Sequence, residues 1–141
     1  MRLLTSIFTA AFLVVALPIT DALAQNQAGF RVEKVVEGID VPWGMAWLPD
    51  GDMLVTNRGG QLYRVHDGQL SAPLGGIPEV HVNGQGGLLD IVLHPNYADN
   101  GWIYISYSSP EGPGEGSHTA IMRAKLQGNA LVQQQVLYKG E

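Results

Sequence analysis

Gly87-Leu88-Leu89-Asp90-Ile91-Val92-Leu93-His94-Pro95, followed by Trp102-Ile103-Tyr104-Ile105-Ser106-Tyr107, is the stretch that decides the fold. The first run is short and apolar and stops at a proline. The second is rich in aromatic and β-branched residues, which pack well on a pleated surface. Between them, Asn96 to Gly101 supplies Asn, Asp and Gly, the residues that turn a chain. The same order stands upstream. Gly44-Met45-Ala46-Trp47-Leu48 is apolar, Pro49-Asp50-Gly51-Asp52 is a turn, and Met53-Leu54-Val55-Thr56 returns as a strand. Pro49 and Pro95 hold the same place in the two copies, 46 residues apart (95 − 49).

Further strands flank each copy. Gln61 to Val65 alternates polar and apolar residues, so it has one buried face. His66-Asp67-Gly68 turns the chain into a weak fourth strand, Gln69 to Leu74. In the second copy a Gly/Pro/Ser loop, Ser108 to Gly116, leads to strands at Thr119 to Leu126 and Leu131 to Tyr138, joined by Gln127-Gly128-Asn129. Phe30 to Val36 is predicted as an additional strand before the first copy. No amphipathic helix is predicted from Gln25 onward.

Four short strands per unit, at a period near the ~40–50 residues of a propeller blade, predict an all-β fold of the β-propeller type. A two-sheet β-sandwich is the alternative, because evenly spaced strands also suit it. The repeat favours the propeller. So does the first strand of each unit, whose lack of polar alternation predicts burial on both faces between neighbouring blades. Asp90 interrupts that strand and is expected to be a buried, hydrogen-bonded carboxylate, the other reading being a site group.

Composition narrows the chemistry. The chain has 141 residues, 8 Lys and Arg against 13 Asp and Glu, and a net charge of -5. No basic run is present to neutralise phosphates, so a nucleic-acid partner is not expected. With 45% hydrophobic and 15% charged residues the chain is foldable. The absence of Cys removes thiol catalysis, zinc fingers, iron–sulfur clusters and disulfides together. The 18 Gly and 8 Pro point to tight turns rather than helices.

Residues 1–24 read as a leader. Met1-Arg2 is a positive start, Leu3 to Leu17 is mostly apolar, Pro18 ends the run, and Ala22-Leu23-Ala24 is a small-x-small cleavage site before Gln25. The apolar stretch is short for a membrane span of ~20 residues. Cleavage after Ala24 is expected to leave a periplasmic or secreted chain with no stable membrane anchor. The mature part, residues 25–141, then holds about two blades, whereas propellers have roughly 4–8. It is expected to be the N-terminal part of a larger ring, a mini-fold that oligomerises being the alternative. No oligomeric state follows from the sequence.

In a four-stranded meander the loop from second to third strand and the connection into the next first strand emerge at one end. That end is predicted to collect Asn57-Arg58-Gly59-Gly60, Asn83-Gly84-Gln85-Gly86 and the Ser108–Gly116 loop. The glycines around Gln85 let backbone approach a ligand, and the Gln85 amide both donates and accepts. From spacing alone the plainer reading, a turn with a solvated Gln, leads. Arg58 suits either an anionic ligand or a loop carboxylate. His66, His81, His94 and His118 show no metal spacing and are expected to be structural or exposed, with His118 placed where it could face the channel. No metal site is predicted at Asp50 and Asp52, which sit in a turn without an EF-hand series.

The residues also resemble a family. Val41-Pro42-Trp43-Gly44-Met45-Ala46-Trp47-Leu48-Pro49-Asp50-Gly51, Thr56-Asn57-Arg58-Gly59-Gly60-Gln61-Leu62 and, most specifically, Gly84-Gln85-Gly86-Gly87-Leu88-Leu89-Asp90-Ile91-Val92-Leu93-His94-Pro95 resemble the soluble PQQ-dependent sugar dehydrogenases. These form the glucose/sorbosone dehydrogenase group, and the likeness is to its aldose sugar dehydrogenase branch. The resemblance implies an exported six-bladed propeller that oxidises the anomeric carbon of aldoses to lactones and passes electrons to an external acceptor. It implies PQQ and Ca²⁺ as cofactors, a His as general base, and hydride transfer from the sugar to the quinone. Of the family's site residues it carries over Gln85 alone, as a cofactor-site residue. The general-base His, and most cofactor and calcium ligands, are expected beyond Glu141, so no catalytic residue or metal ligand is assigned within the chain. A non-catalytic propeller binding a carbohydrate or protein partner is the alternative, since one fold serves many functions.

Overall fold

The computed structural model describes residues 29–112 and 116–140. The leader expected over residues 1–24 lies outside them. No helix among the described residues is long and apolar enough to cross a membrane.

The compact body begins at Lys34 and holds two antiparallel meanders of four strands. The first is β1 (Pro42–Trp47), β2 (Met53–Asn57), β3 (Gln61–His66) and β4 (Gln69–Leu70). The second is β5 (Leu88–Leu93), β6 (Trp102–Ser109), β7 (His118–Gln127) and β8 (Ala130–Lys139), with a single helical turn α1 (Tyr97–Asn100) between β5 and β6. Strand order follows the chain in both sheets, and β1 and β5 lie against each other. This is the arrangement of two adjacent propeller blades, as the repeat predicts.

The core forms where the sheets face each other. Ala46, Leu48, Leu54, Leu62 and Leu74 from the first sheet meet Leu88, Ile91, Ile103, Ile105, Tyr107, Ala120, Met122 and Leu131 from the second. Each Leu or Ile buried in this way contributes roughly 1.5–3 kcal/mol. Met53, Val55 and Val65 point the other way, because side chains alternate along a strand, and form a second cluster with Val36, Ile39 and Leu70.

Several expectations are corrected. The strand buried on both faces is β2, the second of its sheet. Trp43, Met45 and Trp47 on β1 and Val92 on β5 are exposed, because no further sheet lies over those faces among the described residues. Asp90 is exposed rather than buried, and its Oδ1 accepts from the Ile91 N–H at 2.9 Å. Phe30–Val36 does not form a strand: no described strand offers it a ladder, and Phe30, Val32 and Val35 stand in solvent. Strand four of the first sheet is only two residues long, because Ser71 Oγ takes the Arg64 N–H at 3.0 Å in place of a ladder carbonyl. Leu74 N–H still reaches the Leu62 carbonyl at 2.8 Å before the chain leaves the sheet.

That departure positions the later loop. After β4 the chain crosses to the second sheet, where Gly75 forms a parallel bridge to Ala130. Gly75 N–H donates to the Asn129 carbonyl at 2.9 Å, and Leu131 N–H donates back to the Gly75 carbonyl at 2.9 Å. Gly76 has φ +77, and a Cβ there would lie 2.2 Å from the Leu131 oxygen, so only glycine passes. The connection then returns along the end of the sheets to enter β5.

Both first strands carry a register shift, between Pro42 and Met45 in β1 and between Leu88 and Ile91 in β5. In each a hydroxyl on the second strand accepts the displaced N–H. Thr56 Oγ1 accepts from Gly44 at 2.8 Å, and Ser106 Oγ accepts from Asp90 at 3.1 Å. Gly44 and Asp90 stand at the same place in the repeat, 46 residues apart (90 − 44). Thr56 and Ser106 are 50 apart (106 − 56), the excess matching the four residues of α1.

Candidate functional site

The β2–β3 turn, the connection into β5 and the end of β6 meet at one end of the sheets, as the meander topology predicts. Asn57, the buried last residue of β2, organises the first of these. Its Oδ1 accepts from Val41 N–H at 3.2 Å and its Nδ2 donates to Gln61 Oε1 at 2.8 Å. Gly60 N–H closes the turn onto the Asn57 carbonyl at 2.9 Å. Arg58 follows and reaches across to the second segment, where its Nη1 donates to the Gly84 carbonyl. Arg58 also uses its backbone, accepting from Leu88 N–H at 3.0 Å.

The second segment, Asn83 to Gly87, is a tight turn closed by Gly86 N–H donating to the Asn83 carbonyl at 2.7 Å. Ser108 at the end of β6 holds its exit. Ser108 N–H donates to the Gly87 carbonyl at 2.8 Å, its Oγ accepts from Gly87 N–H at 3.2 Å, and its carbonyl accepts from His81 N–H at 2.8 Å. Glycine is required twice here. At Gly86 a Cβ would lie 2.9 Å from Ser108 Oγ and 3.1 Å from the Asn83 oxygen. At Gly87, where φ is +152, it would lie 2.1 Å from the Arg58 carbonyl oxygen. Gly84, with φ +55, faces open space, since nothing lies within 4 Å of an added Cβ. Gln85 is exposed at the crest beside it.

Arg58 does not take the carboxylate partner considered for it. Among the described residues it forms no ion pair, and its Nε is buried without a hydrogen-bond partner. Among the described residues no carboxylate pairs with its charge beside the Gln85 crest.

Three of the histidines are placed in local structural roles. His94 Nδ1 accepts from Asn96 N–H and lies 2.9 Å from Asn100 Nδ2, while its ring stacks on Tyr104 with centroids 6.0 Å apart. His118 begins β7 opposite Ser109, and a Cβ on Gly112 would press into its ring. His66 belongs to an ion network at the opposite end of the first sheet. There the buried Asp52 lies 2.6 Å from His66 Nδ1 and also binds Arg64 Nε, while Arg64 Nη2 reaches Asp50 at 2.7 Å. The His66 hydrogen bond, supported by Arg64, holds the Asp52 carboxyl below the usual range in spite of burial. The same hydrogen bond and the Asp52 charge raise the His66 pKa. Asp50 and Asp52 are thus committed to Arg64 and His66. Among the described residues no group of three or more His, Cys, Asp or Glu is arranged to hold a metal ion.

The far side of the loop cluster is fixed by a second ion pair. Lys139 Nζ lies 2.8 Å from Glu111 Oε2 and holds the Glu111 carboxyl below its ordinary pKa through that hydrogen bond. Glu111 N–H in turn donates to Ser109 Oγ at 3.2 Å. Sequence reasoning brought Asn57–Gly60 and Asn83–Gly87 together but missed Ser108 as the latch between them. The available signal was a small hydroxyl residue at the end of an aromatic strand, facing a Gly-Gly pair.

Known proteins are similar to this chain in sequence and in fold. The sequence model of the Glucose / Sorbosone dehydrogenase family matches residues 39–141. The aldose sugar dehydrogenase YliI of Escherichia coli strain K12 is 43% identical over 117 residues, covering 82% of this chain and 31% of that protein. Among solved structures, the soluble aldose sugar dehydrogenase of Escherichia coli in the apo-form superimposes with a TM-score of 0.67 at 40% identity, over 72% of this chain and 30% of that one. The PQQ-bound aldose sugar dehydrogenase of Streptomyces coelicolor does so with a TM-score of 0.63 at 32% identity, over 77% of this chain and 33% of that one. The chain spans about a third of the length of these relatives.

Proposed function

The chain belongs to the glucose/sorbosone dehydrogenase family, and on that footing we propose that the protein carrying it is an exported quinoprotein oxidising the anomeric carbon of aldose sugars to lactones, with PQQ as its electron acceptor. The observation that carries the reading is the Gln85 crest: a glycine turn clamped by Arg58 and Ser108, with a polar amide exposed at its top.

The residues present fit the edge of a site for a polar, anionic quinone. Gly84 leaves open space beside Gln85, and Arg58 braces that turn through the Gly84 carbonyl. When bound, PQQ supplies the two-electron redox chemistry that side chains lack. The chain's own residues position. The Gln85 amide offers a donor and an acceptor to ligand oxygens, and the turn holds it in place before ligand arrives. Ca²⁺ remains part of the family-based proposal, but the described residues form no group to hold it, and no step here is assigned to it.

The general base must lie within hydrogen-bond reach of the sugar hydroxyl it deprotonates. Among the described residues, His66 is paired with Asp52 and His94 is bonded to Asn96 and Asn100. The family resemblance, and not the placement of these histidines, is the ground on which we place the base beyond Glu141. The leader over residues 1–24 directs export, and an external acceptor reoxidises the reduced cofactor.

The test is reconstitution of the full-length protein with PQQ and Ca²⁺, followed by dye reduction with a series of aldoses. Aldose-dependent reduction that needs PQQ supports the proposal. A protein that takes up no PQQ and reduces no dye leaves the non-catalytic propeller as its function. Export is tested separately, by recovering the mature protein from the periplasm or medium with Gln25 at its N-terminus.

A further inference from the structure

We infer that Arg58 is a positioning residue that sets the Gln85 amide from two sides, an inference that rests on reading Gln85 as cofactor-facing. Its backbone is fixed first. Arg58 N–H donates to the Val41 carbonyl at 3.0 Å, and the Arg58 carbonyl accepts from Leu88 N–H at 3.0 Å. From that anchored position the guanidinium Nη1 donates to the Gly84 carbonyl. The stem of the side chain lies along Gly87, where a Cβ would come within 2.8 Å of Arg58 Cγ. One residue thus grips the turn at Gly84 and again at Gly87–Leu88. Only Gln85 and Gly86 span the interval between the grips.

A short span held at both ends has few conformations to lose, so a ligand meeting Gln85 does not bear the cost of ordering it. Without the guanidinium, the φ-permissive glycines at 84, 86 and 87 would let the crest wander. The planar fork of arginine suits this task, because a bond made by one Nη also fixes the direction of the whole group. Its Nε is buried and has no hydrogen-bond partner among the described residues, so the Gly84 carbonyl is the polar contact its side chain makes there.

The test compares wild-type full-length protein with Arg58→Met, Arg58→Lys, Gln85→Ala and the Arg58→Met/Gln85→Ala double variant. Amide hydrogen exchange over residues 82–88 and PQQ affinity, followed by cofactor absorbance, are read in each. Arg58→Met is expected to speed exchange at Gly84–Gly87 and to weaken PQQ binding, each about tenfold, the size of one net hydrogen bond. Exchange in β6 and β7 stays unchanged, and Arg58→Lys falls between the two. Added to Gln85→Ala, Arg58→Met costs little more PQQ affinity, because one residue acts through the other.

Wild-type exchange over residues 82–88 in Arg58→Met overturns the inference whatever happens to PQQ. Fully additive losses overturn it as well, since Arg58 would then act on the cofactor independently. Should Arg58→Met fail to fold, Arg58→Lys decides: faster exchange in the turn supports the inference, and unchanged exchange overturns it. If the wild type binds no PQQ while Arg58→Met still loosens the turn, the positioning role stands and the quinoprotein reading falls.

Discussion

Thr56 Oγ1 in the first sheet donates to the Leu89 carbonyl in the second at 2.5 Å, while accepting from Gly44 N–H at 2.8 Å. A single fully buried hydroxyl therefore satisfies the bulge of its own sheet and ties that sheet to the next. Replacement by valine keeps the shape and leaves both backbone groups without their partner. Thr56→Val is expected to destabilise by about 1–3 kcal/mol in chemical denaturation. Thr56→Ser keeps the hydroxyl and should lose about 1 kcal/mol or less, the value of one buried methyl.

Gly84 and Gly87 predict opposite tolerances within one turn. Gly87→Ala drives a Cβ to 2.1 Å from the Arg58 carbonyl oxygen, which is backbone and cannot swing away. It is expected to abolish the turn or the fold, read as loss of soluble protein or of cooperative unfolding. Gly84→Ala meets open space and only the left-handed backbone cost of roughly 1–2 kcal/mol. Comparable stability in the two variants would contradict the clamped turn.

Gln85→Ala in the full-length protein is expected to leave the unfolding midpoint unchanged, since the side chain is exposed. PQQ affinity or turnover should fall about tenfold or more, as expected for losing an amide that bonds a bound ligand. Wild-type affinity and turnover in that variant would sink the assignment of Gln85 to the cofactor site.

The Asp52–His66 pair predicts a pH dependence with a defined sign. His66 has a raised pKa in the folded chain, so its contribution is fully present below its ordinary value of about 6.5 and is lost as pH rises through the folded value. Asp52 has a lowered pKa, so its contribution is present above about 3.8 and is lost as pH falls through the folded value. The pair is strongest between those limits. The stability advantage of wild type over His66→Gln should shrink as pH is raised from about 6 to about 8. High salt should flatten the difference, because His66 is largely exposed.

The strand order was legible because Pro49-Asp50-Gly51 and His94-Pro95 punctuate apolar runs at a fixed period. The convergence of Asn57–Gly60 with Asn83–Gly87 was legible too, since an antiparallel meander leaves no other end for them. What the residues could not display is partnership. Phe30–Val36 has strand composition, yet no described strand takes up its backbone groups. Asp90 was misjudged because the bulge at Leu88–Ile91 turns it outward, and a bulge breaks the alternation from which burial is read. The grips of Arg58 on the Gly84 carbonyl and of Ser108 on Gly87 use backbone atoms, which leave no mark on sequence spacing. The turn of helix at Tyr97–Asn100 is held locally, with Gly101 as its left-handed end, and is too short for a hydrophobic period.

The pairing of Gly44 with Asp90 makes the two repeats unequal as building blocks. A Cβ on Gly44 would fall 2.7 Å from Asp90 Oδ1 and 3.0 Å from Asp90 Cα, so the first strand admits its successor only because it is bare there. The second repeat carries Asp90 itself at the matching place. A synthetic tandem of the first repeat would present glycine at every seam and stack with the spacing seen here. A tandem of the second would bring a side chain into the same gap at every joint. The joint between these two sheets is therefore written into one missing methyl.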